Sequence, residues 1–383
     1  MNFTVTQDQE LLRRTVADFV DREVIPHRVE WDRAEHVDRA IVGRLGSLGF
    51  LGITIPEEYG GTPADHRAYC LLMEELGRGD SSVRGIVSVS LGLFGKTVLA
   101  EGSDAQKKEL LPGICSGTSI GCYALTEPGA GSDAGHLVTR AERDGGDWIL
   151  TGEKVFITNG TWADQAIVFA RTGGDGPRGI TAFVVPTDAP GFASAEIKGK
   201  LGLRGQATAT LHLDRVRVPD SCRLGDEGRG FKIAMGALNR GRMSLAAGCV
   251  GICRGCLEES VTYARQREQF GKPIAGHQLV QEMIADIAVD ADAARALTWV
   301  VADLADAGER FELAASKAKY FASEAAVRCA NRALQVFGGY GYIDEYPVGK
   351  YLRDARVTTL YEGTSQIQKL IIGQALTGVS AFA

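Results

Sequence analysis

Apolar residues recur at intervals of three and four positions through the N-terminal part of the chain. Leu12 and Val16 follow this spacing directly after Thr6–Gln9, which has the S/T-x-x-E/Q form of a capping box. The segments AIVGRLGSLGFLGI and AYCLLMEELGRG repeat the helical period, and GSDAQKKELLPGICSG predicts a further capped helix with a Pro-Gly stop near Ser116. We therefore expect a helical domain over residues 1–118.

The pattern changes at about Ile120, where short segments rich in Val, Ile, Thr and Phe begin. They are DWILTGEKVFITNG, DQAIVFARTG, GITAFVVPTD and TATLHLDRVRVP, and Gly, Asp and Pro separate them. Such spacing is typical of strands in an antiparallel sheet. We expect a middle β domain over residues 119–228.

Long helical patterns return from about Gly230. Three alanine-rich runs carry broad apolar faces: FKIAMGALNRGRMSLAAGCVGICRGCLEESVTYARQ, LVQEMIADIAVDADAARALTWVVADLADAG and ELAASKAKYFASEAAVRCANRALQVFGG. They predict a helical bundle over residues 229–383. The whole chain is thus expected to be mainly α with a central β domain.

The composition of the 383 residues is that of a globular protein, with 45% hydrophobic and 23% charged residues. A net charge of −6 and the lack of a Lys/Arg run argue against nucleic-acid binding. No apolar stretch reads as long enough to span a bilayer, and the N-terminal MNFTVTQDQE does not resemble an export signal. We expect a cytoplasmic protein without membrane contact.

Eight cysteines and six histidines raise the question of a metal site. Cys249, Cys253 and Cys256 follow i, i+4, i+7 spacing, which puts them on one face of a helix. A zinc site needs a fourth ligand, and no histidine lies near them in the sequence. We predict small buried thiols that pack a helix face, and no metal.

The segment TTLYEGTSQIQ, residues 358–368, places Glu362 between two helical patterns, with Gly363 directly after it. One interpretation is a helix boundary, with Thr364 or Ser365 capping the next helix and the carboxylate in solvent. The other is a carboxylate held at a break in the helix for acid–base chemistry. The fragment alone leaves both open.

Glycines cluster in EPGAGSDAG, at Gly129, Gly131 and Gly135. Their spacing differs from the dinucleotide fingerprint, and the sequence around them does not predict a βαβ unit. The segment is either a mobile surface turn or a ligand loop. In a ligand loop, Thr126, Ser132 and backbone N–H groups would hold a heteroaromatic ring and a polar tail together.

Four motifs occur in order and with compatible spacing: YALTEPGAGSD, REQFGKPIAGHQ, QVFGGYGYIDEYPVGKYLRDAR and LYEGTSQIQ. Together with LGFLGITIPEEYGG near the start, they make nearly the whole chain resemble the acyl-CoA dehydrogenase family of flavoproteins. The resemblance implies an N-terminal helical domain, a middle β barrel or sandwich and a C-terminal four-helix bundle. It also implies one FAD per subunit, a homotetramer, and electron-transfer flavoprotein as the electron acceptor.

The resemblance also assigns residues to the cofactor. The loop that ends at Ser132 matches the family's loop along the flavin, and Thr158 would hydrogen-bond near flavin N5. Arg267 heads a second group, which in the family holds the pyrophosphate and adenosine of a neighbouring subunit's FAD. Without the resemblance, Arg267 could pair with Glu268 or with solvent. The implied cofactor residues are Tyr123, Leu125, Thr126, Gly131, Ser132, Phe156, Ile157, Thr158, Arg267, Gln269, Phe270, Gln278, Gln335, Gly338, Gly339, Thr364 and Gln366.

The resemblance makes Glu362 the catalytic base. In the family, the matching glutamate removes the α-proton of an acyl thioester while the β-hydrogen leaves as hydride to flavin N5, which gives a trans-2-enoyl thioester. Some relatives carry the base at the position of Gly241, and glycine cannot accept a proton. The implied substrate residues are Ser132, Leu238, Asn239, Arg242, Tyr361 and Gly363, together with Arg84 and Ser88.

The identity of the substrate is the feature that the sequence determines least. Arg84 and Ser88 resemble the pair with which glutaryl-CoA dehydrogenase holds a distal carboxylate, whereas Gly77 stands where that enzyme has a glutamate. The alternatives are a short-chain acyl-CoA dehydrogenase, or a dehydrogenase of a carboxylated acyl group on CoA or on an acyl carrier protein. An acyl-CoA oxidase and a non-catalytic scaffold of the same fold also stay open.

Overall fold

The computed structural model describes residues 4–381, so residues 1–3 of the N-terminal segment and residues 382–383 lie outside it. The N-terminal helices are α1 (Gln7–Phe19), α2 (Arg28–Ala34), α3 (Ala40–Ser47), α4 (His66–Gly79), α5 (Ser81–Val87), α6 (Lys96–Glu101) and α7 (Asp104–Ser116). Capping boxes start α1 at Thr6 and α7 at Ser103, as predicted. α7 ends at Ser116, where its end was predicted, but Pro112 and Gly113 lie inside the helix, so the prediction that they stop it is wrong.

A continuous helical stretch, Ser81–Glu101, runs through the core. It consists of α5, a π-helical segment (Ser88–Gly95) and α6. Its 21 residues are long and apolar enough, by length and composition, to cross a membrane, with a mean hydropathy of 1.4. The expectation that no stretch reaches that length is therefore wrong. Since 89% of an 18-residue window of this helix is buried inside the fold, packing accounts for its apolar composition.

The middle of the chain forms an eight-stranded sheet with the order β6-β7-β3-β2-β4-β5-β8, in which β1 pairs with β4. Its strands are β1 (Gly121–Ala124), β2 (Arg140–Asp144), β3 (Asp147–Thr158), β4 (Gln165–Arg171), β5 (Ile180–Pro186), β6 (Phe192–Glu196), β7 (Thr208–Pro219) and β8 (Arg223–Leu224). Most pairs are antiparallel, as predicted, but β1 and β2 pair with β4 in parallel.

The sheet stays open within residues 4–381, so of the two forms expected for this domain, barrel or sandwich, the barrel is wrong. The physical reason is that β6 and β8 lie at opposite ends of the strand order and do not pair with each other. The register of β3 against β7 shifts between Lys154 and Ile157, where Phe156 takes a φ of 59°. Such a bulge re-aims the side chain that it carries.

The C-terminal part contains three long helices and two shorter ones. They are α8 (Gly230–Gln266), α9 (Gln278–Asp306), α10 (Glu312–Phe337), α11 (Val348–Thr358) and α12 (Ser365–Thr377). A two-stranded ribbon of β9 (Glu268–Gln269) and β10 (Lys272–Pro273) lies between α8 and α9. α4 also packs on α8, so the bundle includes a helix from the N-terminal part of the chain.

The three cysteines of α8 lie on its buried face. Cys249 and Cys253 are 0% exposed, as is Cys256, and all three are free thiols. The prediction that they pack a helix face is confirmed. Within the described residues, no group of three or more His, Cys, Asp and Glu side chains is arranged to hold a metal ion.

Candidate active site

The linker between α11 and α12 holds Glu362 in a strained backbone conformation. Glu362 has a φ of 54° and Gly363 a φ of 87°, and the left-handed region is unfavourable for a residue with a side chain. The Thr364 side chain accepts a hydrogen bond from Ile367 N and caps α12, as one interpretation of the sequence expected. That interpretation also put the Glu362 carboxylate in solvent, which is wrong, because its Oε2 atom is buried.

Two buried side chains bind the carbonyl oxygens of this linker. Lys319 of α10 donates from Nζ to the Gly363 oxygen at 2.7 Å. Gln368 of α12 donates from Nε2 to the oxygens of Glu362, at 3.2 Å, and of Gly363, at 3.1 Å. Both side chains are 0% exposed, so water does not compete for these hydrogen bonds. The linker is thereby attached to two helices.

The Glu362 carboxyl group has a perturbed pKa. Burial raises this pKa to about 7, and the cations of Arg84, Lys319 and Arg242 oppose the rise. Its Oε2 atom has no hydrogen-bond partner among residues 4–381. A carboxylate in this state is suited to general-base catalysis near neutral pH.

Gly241 of α8 lies directly beside the carboxylate. A β-carbon at position 241 would lie 2.5 Å from Glu362 Oε2 and 3.1 Å from Leu93 Cδ2. Because position 241 is a glycine, the Glu362 carboxylate can occupy the space that a side chain there would fill. The two positions at which the sequence resemblance places a base face each other, and here position 362 alone carries a carboxylate.

A buried polar cluster lies next to the linker. Arg84 of α5 is 3% exposed and donates from Nη2 to the Tyr361 hydroxyl at 2.7 Å. The Ser88 and Ser244 hydroxyls share a hydrogen bond of 2.9 Å. Gly248 of α8 gives Arg84 its room, because a β-carbon there would lie 2.3 Å from Arg84 Cδ. The guanidinium thus lies inside the protein with a neutral phenol as its hydrogen-bond partner.

Helices α4 and α8 touch at Gly77. A β-carbon at position 77 would lie 2.4 Å from the Gly248 carbonyl oxygen. A side chain does not fit there unless the helices separate. The glutamate that glutaryl-CoA dehydrogenase carries at the matching position therefore has no space in this protein.

The loop after β1 is anchored by a buried ion pair. Lys154 of β3 donates from Nζ to Glu127 Oε1 at 2.7 Å and to the Leu125 carbonyl oxygen at 3.2 Å. Glu127 in turn accepts hydrogen bonds from the backbone N–H groups of Val138, at 2.6 Å, and Thr139, at 2.9 Å. Burial lowers the pKa of Lys154 to about 8, although Glu127 opposes this. The pair joins both ends of the glycine-rich loop to the sheet.

The bulge of β3 and the glycine-rich loop form one polar and aromatic edge. Val155 N donates to the Thr126 carbonyl oxygen at 2.9 Å, so the strand and the loop are adjacent. The Phe156 side chain is 67% exposed, and Thr158 donates to Gln206 Oε1 at 3.4 Å. The edge combines an exposed ring with hydroxyl and backbone groups, which suits a planar heteroaromatic ligand.

A separate groove of about 660 Å³ lies at the C-terminal ends of α8 and α10. The Arg267 guanidinium lies 5.4 Å from the Tyr340 ring centroid and makes no ion pair with Glu268 in the described part of the chain. Phe270 in the ribbon is 93% exposed. Five of the predicted cofactor residues line this groove: Arg267, Gln269, Phe270, Gly338 and Gly339.

Models of three acyl-CoA dehydrogenase domains match the chain in order. Residues 6–118 match the N-terminal domain, residues 122–216 the middle domain and residues 228–377 the C-terminal domain. The chain belongs to the acyl-CoA dehydrogenase family. Its fold is therefore the one that the sequence resemblance implied, apart from the barrel.

Individual proteins resemble the chain over nearly its whole length. An acyl-CoA dehydrogenase of Bacillus subtilis (strain 168) is 44% identical over 375 residues, which cover 98% of this chain and 99% of that protein. The structure of butyryl-CoA dehydrogenase from Megasphaera elsdenii has a TM-score of 0.96 at 38% identity, covering 98% of this chain and 100% of the other. The structure of a glutaryl-CoA dehydrogenase from Mycobacterium smegmatis in complex with FADH2 has a TM-score of 0.95 at 37% identity, covering 99% of this chain and 97% of the other.

The predicted cofactor residues of this chain do not all lie together: one group lies at the glycine-rich loop and β3, a second lines the groove at Arg267, and others do not line that groove. Tyr123 and Leu125 are buried beside the loop, whose Gly131 and Ser132 are exposed, and none of these residues lines the groove at Arg267. The exposed Gln278, Gln335 and Gln366 also lie outside the lining of that groove.

The predicted substrate residues of α8 lie within one turn of Gly241. Arg242 is 6% exposed and donates to Asn239 Oδ1 at 2.7 Å and to Ser316 Oγ at 3.3 Å. Leu238 is half-buried next to Asn239. Burial lowers the pKa of Arg242, and Glu362 opposes this, so the Glu362 carboxyl group and Arg242 belong to one electrostatic environment.

Several site residues were not found from the sequence, namely Lys319, Gln368 and the pair of Lys154 and Glu127. A signal existed for two of them. Lys319 interrupts the alanine-rich face of α10, on which Ala315 and Ala322 are 0% exposed. Lys154 occupies a core-facing position of β3. A lysine on an apolar face indicates a buried acceptor, but the sequence does not show which one.

Proposed function

We propose that this protein catalyses the FAD-dependent α,β-dehydrogenation of an acyl thioester, with Glu362 as the base that removes the α-proton. The observation that carries the proposal is the buried Glu362 Oε2 atom beside Gly241, without a hydrogen-bond partner in residues 4–381 and with a carboxyl pKa raised to about 7. Such a carboxylate can accept a proton at neutral pH, because its Oε2 atom has no hydrogen bond to another donor that must break first.

The α-proton of a thioester is weakly acidic, so the charge that develops on the thioester carbonyl oxygen needs a hydrogen-bond donor. The backbone N–H of Glu362 makes no backbone hydrogen bond within the described residues and is available for this role. Gly363 lets the main chain approach a ligand closely. We propose that this N–H forms part of an oxyanion hole.

The residues of this chain fit FAD. The Phe156 ring, Thr126 and Thr158 supply an aromatic cover and hydrogen-bonding groups for a flavin ring. The Arg267 guanidinium in the groove offers a cation for a pyrophosphate, which guanidinium binds by charge-assisted hydrogen bonds. When bound, FAD would supply the acceptor for the β-hydrogen. Three predicted cofactor residues do not line the groove, namely Gln278, Gln335 and Gln366. To contact FAD, they would need the FAD of an adjacent subunit or a ligand bound nearer to them than the groove.

A second candidate is the same reaction on an acyl group with a distal carboxylate. The Glu362 carboxylate acts on the Arg84 guanidinium electrostatically but forms no ion pair with it in the described residues, and the hydrogen-bond partner of Arg84 is a neutral phenol. Arg84 favours this candidate, because a buried guanidinium is better balanced by a negative charge in direct contact. A carboxylate would supply that charge with matching geometry. Ser88 and Ser244 lie nearby as neutral donors. Because position 77 has no room for a glutamate, we do not extend the proposal to decarboxylation.

The first experiment is anaerobic titration of the purified flavoprotein with short-chain acyl thioesters, on CoA and on an acyl carrier protein. Dehydrogenation predicts rapid bleaching of the flavin absorbance. A scaffold protein would leave the flavin oxidised. In air, peroxide formation without an added acceptor would instead indicate an oxidase. Electron-transfer flavoprotein is our proposed acceptor, and adding it should sustain turnover.

The second experiment compares butyryl and glutaryl thioesters on Arg84→Ala. We expect flavin reduction by the dicarboxylic substrate to fall about 10-fold or more, with a smaller effect on the straight chain. Tyr361→Phe is the matched control, because it removes the hydrogen bond of Arg84 and keeps its charge. If Arg84→Ala affects both substrates equally, the distal-carboxylate proposal is wrong and a generic short-chain acyl-CoA dehydrogenase remains.

A further inference from the structure

The catalytic linker is held by two donors from outside it. Lys319 of α10 and Gln368 of α12 are fully buried, and their three hydrogen bonds end on the successive carbonyl oxygens of Glu362 and Gly363. We propose that Lys319 and Gln368 are positioning residues, which fix the left-handed backbone of Glu362 and thereby aim its carboxylate and its N–H. This inference rests on the proposed role of Glu362 as the base.

The backbone geometry requires such support. A glutamate with a φ of 54° is in an unfavourable region, and strained residues persist where their surroundings determine the conformation. Gly363 makes the support possible, because a β-carbon at position 363 would lie 2.5 Å from Gln368 Nε2. The amide can therefore reach both carbonyl oxygens. Without the two donors, the linker can relax towards a right-handed backbone and turn the carboxylate away.

Lys319 differs from Gln368 because it also brings a charge. The cations that act on the Glu362 carboxyl group are Arg84 of α5, Lys319 of α10 and Arg242 of α8. Burial lowers the pKa of Lys319 to about 8, Arg242 adds to this, and Cys249, Glu362 and Glu324 oppose it. Removing the Lys319 cation leaves two of the three cations that favour the ionised base, so the Glu362 pKa should rise. Removing the Gln368 amide changes no charge and should leave that pKa in place.

The test uses the FAD-loaded protein and four variants: Lys319→Met, Lys319→Arg, Gln368→Met and, as the control on α10, Ser323→Ala. Ser323 is 0% exposed, and its hydroxyl bonds to Tyr320 O within the same helix. Bound FAD is counted by absorbance, and affinity for an unreactive thioether analogue of the substrate is measured. The rate of anaerobic flavin reduction per bound FAD is then followed from pH 5.5 to pH 9.

We expect Lys319→Met and Gln368→Met to reduce flavin about 10- to 100-fold more slowly per bound FAD, because displacement of a reacting group costs rate steeply. Affinity for the analogue should change little. In wild type the rate should rise with pH through about 7, as the base ionises. Lys319→Met should move that midpoint to higher pH, whereas Gln368→Met should not, and Lys319→Arg should restore the wild-type midpoint.

The proposal is wrong if both methionine variants reduce flavin at the wild-type rate per bound FAD, or if Lys319→Met leaves the pH midpoint unchanged. If Lys319→Met does not fold, Gln368→Met decides the positioning role. Retained activity in Glu362→Gln would overturn the proposed function itself. Loss of activity in that variant alone, with the two methionine variants at the wild-type rate, would overturn the positioning roles and leave the base in place.

Discussion

Glu362 depends on neighbours that are distant in the sequence. Burial raises its pKa, three cations from three helices limit the rise, and Gly241 leaves its carboxylate room. A solvated glutamate at the same helix boundary would have an ordinary pKa and would be ionised but weakly basic. The surroundings thus convert a common residue at a helix start into a base for neutral pH.

Replacing this carboxylate tests the assignment at the scale of one residue. Glu362→Gln keeps the size of the side chain and removes the base, so we expect a folded, FAD-loaded protein whose flavin reduction falls about 10²- to 10⁴-fold or more. Stopped-flow absorbance under anaerobic conditions measures the rate. Glu282→Gln, on the exposed surface of α9, is the control. Reduction within a few-fold of wild type would show that another group removes the proton.

At the scale of elements, β3 and the glycine-rich loop act as one unit. Glycine gives the loop freedom, and a β-carbon at Gly129 or Gly131 would meet no atom within 4 Å. The buried pair of Lys154 and Glu127 removes part of that freedom by joining the loop to the strand. The loop can thus present open backbone groups to a ligand while its two ends are held in place by the ion pair.

Breaking this pair should loosen the loop. Lys154→Met leaves the Glu127 carboxylate buried without its cation, which we expect to lower the free energy of unfolding by about 3–5 kcal/mol and to weaken FAD retention. Denaturant unfolding and the FAD-to-protein absorbance ratio measure the two effects. The double variant Lys154→Met/Glu127→Gln should recover part of the lost stability, because it removes the unpaired charge. Additive losses would show that the two residues do not act as a pair.

At the scale of the whole molecule, the groove at Arg267 lies among exposed apolar side chains. Phe270, which lines the groove, is 93% exposed, and Leu279 and Tyr342, each next in the sequence to a lining residue, are 73% and 88% exposed. Clusters of this kind mark interaction surfaces in proteins. Because the loop at β3 and this groove do not share a cavity, we propose that a neighbouring subunit completes each FAD site.

Assembly should therefore control cofactor retention. We expect light scattering of the FAD-loaded protein to give about four times the 40.9 kDa chain mass, and dilution that dissociates it to release FAD. Arg267→Gln should lower FAD occupancy, whereas Arg265→Gln, an exposed change two residues earlier in the last turn of α8, should not. A stable FAD-loaded monomer, or equal occupancy in the two variants, would contradict a site shared between subunits.

The sequence by itself determined the order of elements, because hydrophobic periodicity is a local property. The strand Thr208–Pro219 and the helix Gly230–Gln266 lie where their patterns predicted, and the Thr6 cap depends on Gln9, three residues away. The four motifs in order identified the family for the same reason, since the residues of each motif are contiguous, whereas the fragment around Glu362 alone left its role open. The cofactor and substrate roles of single residues stay predictions until the experiments above are done.

Only the tertiary structure decided the properties that arise between segments. Ser81–Glu101 is a core helix because other elements cover it, and the sheet stays open because its end strands do not meet. Arg84 can be buried because Gly248, on another helix, leaves it room. Lys319 meets the Gly363 carbonyl oxygen 44 positions along the chain. Burial and electrostatic interaction depend on distances in space, and a pattern of neighbours along the chain does not contain those distances.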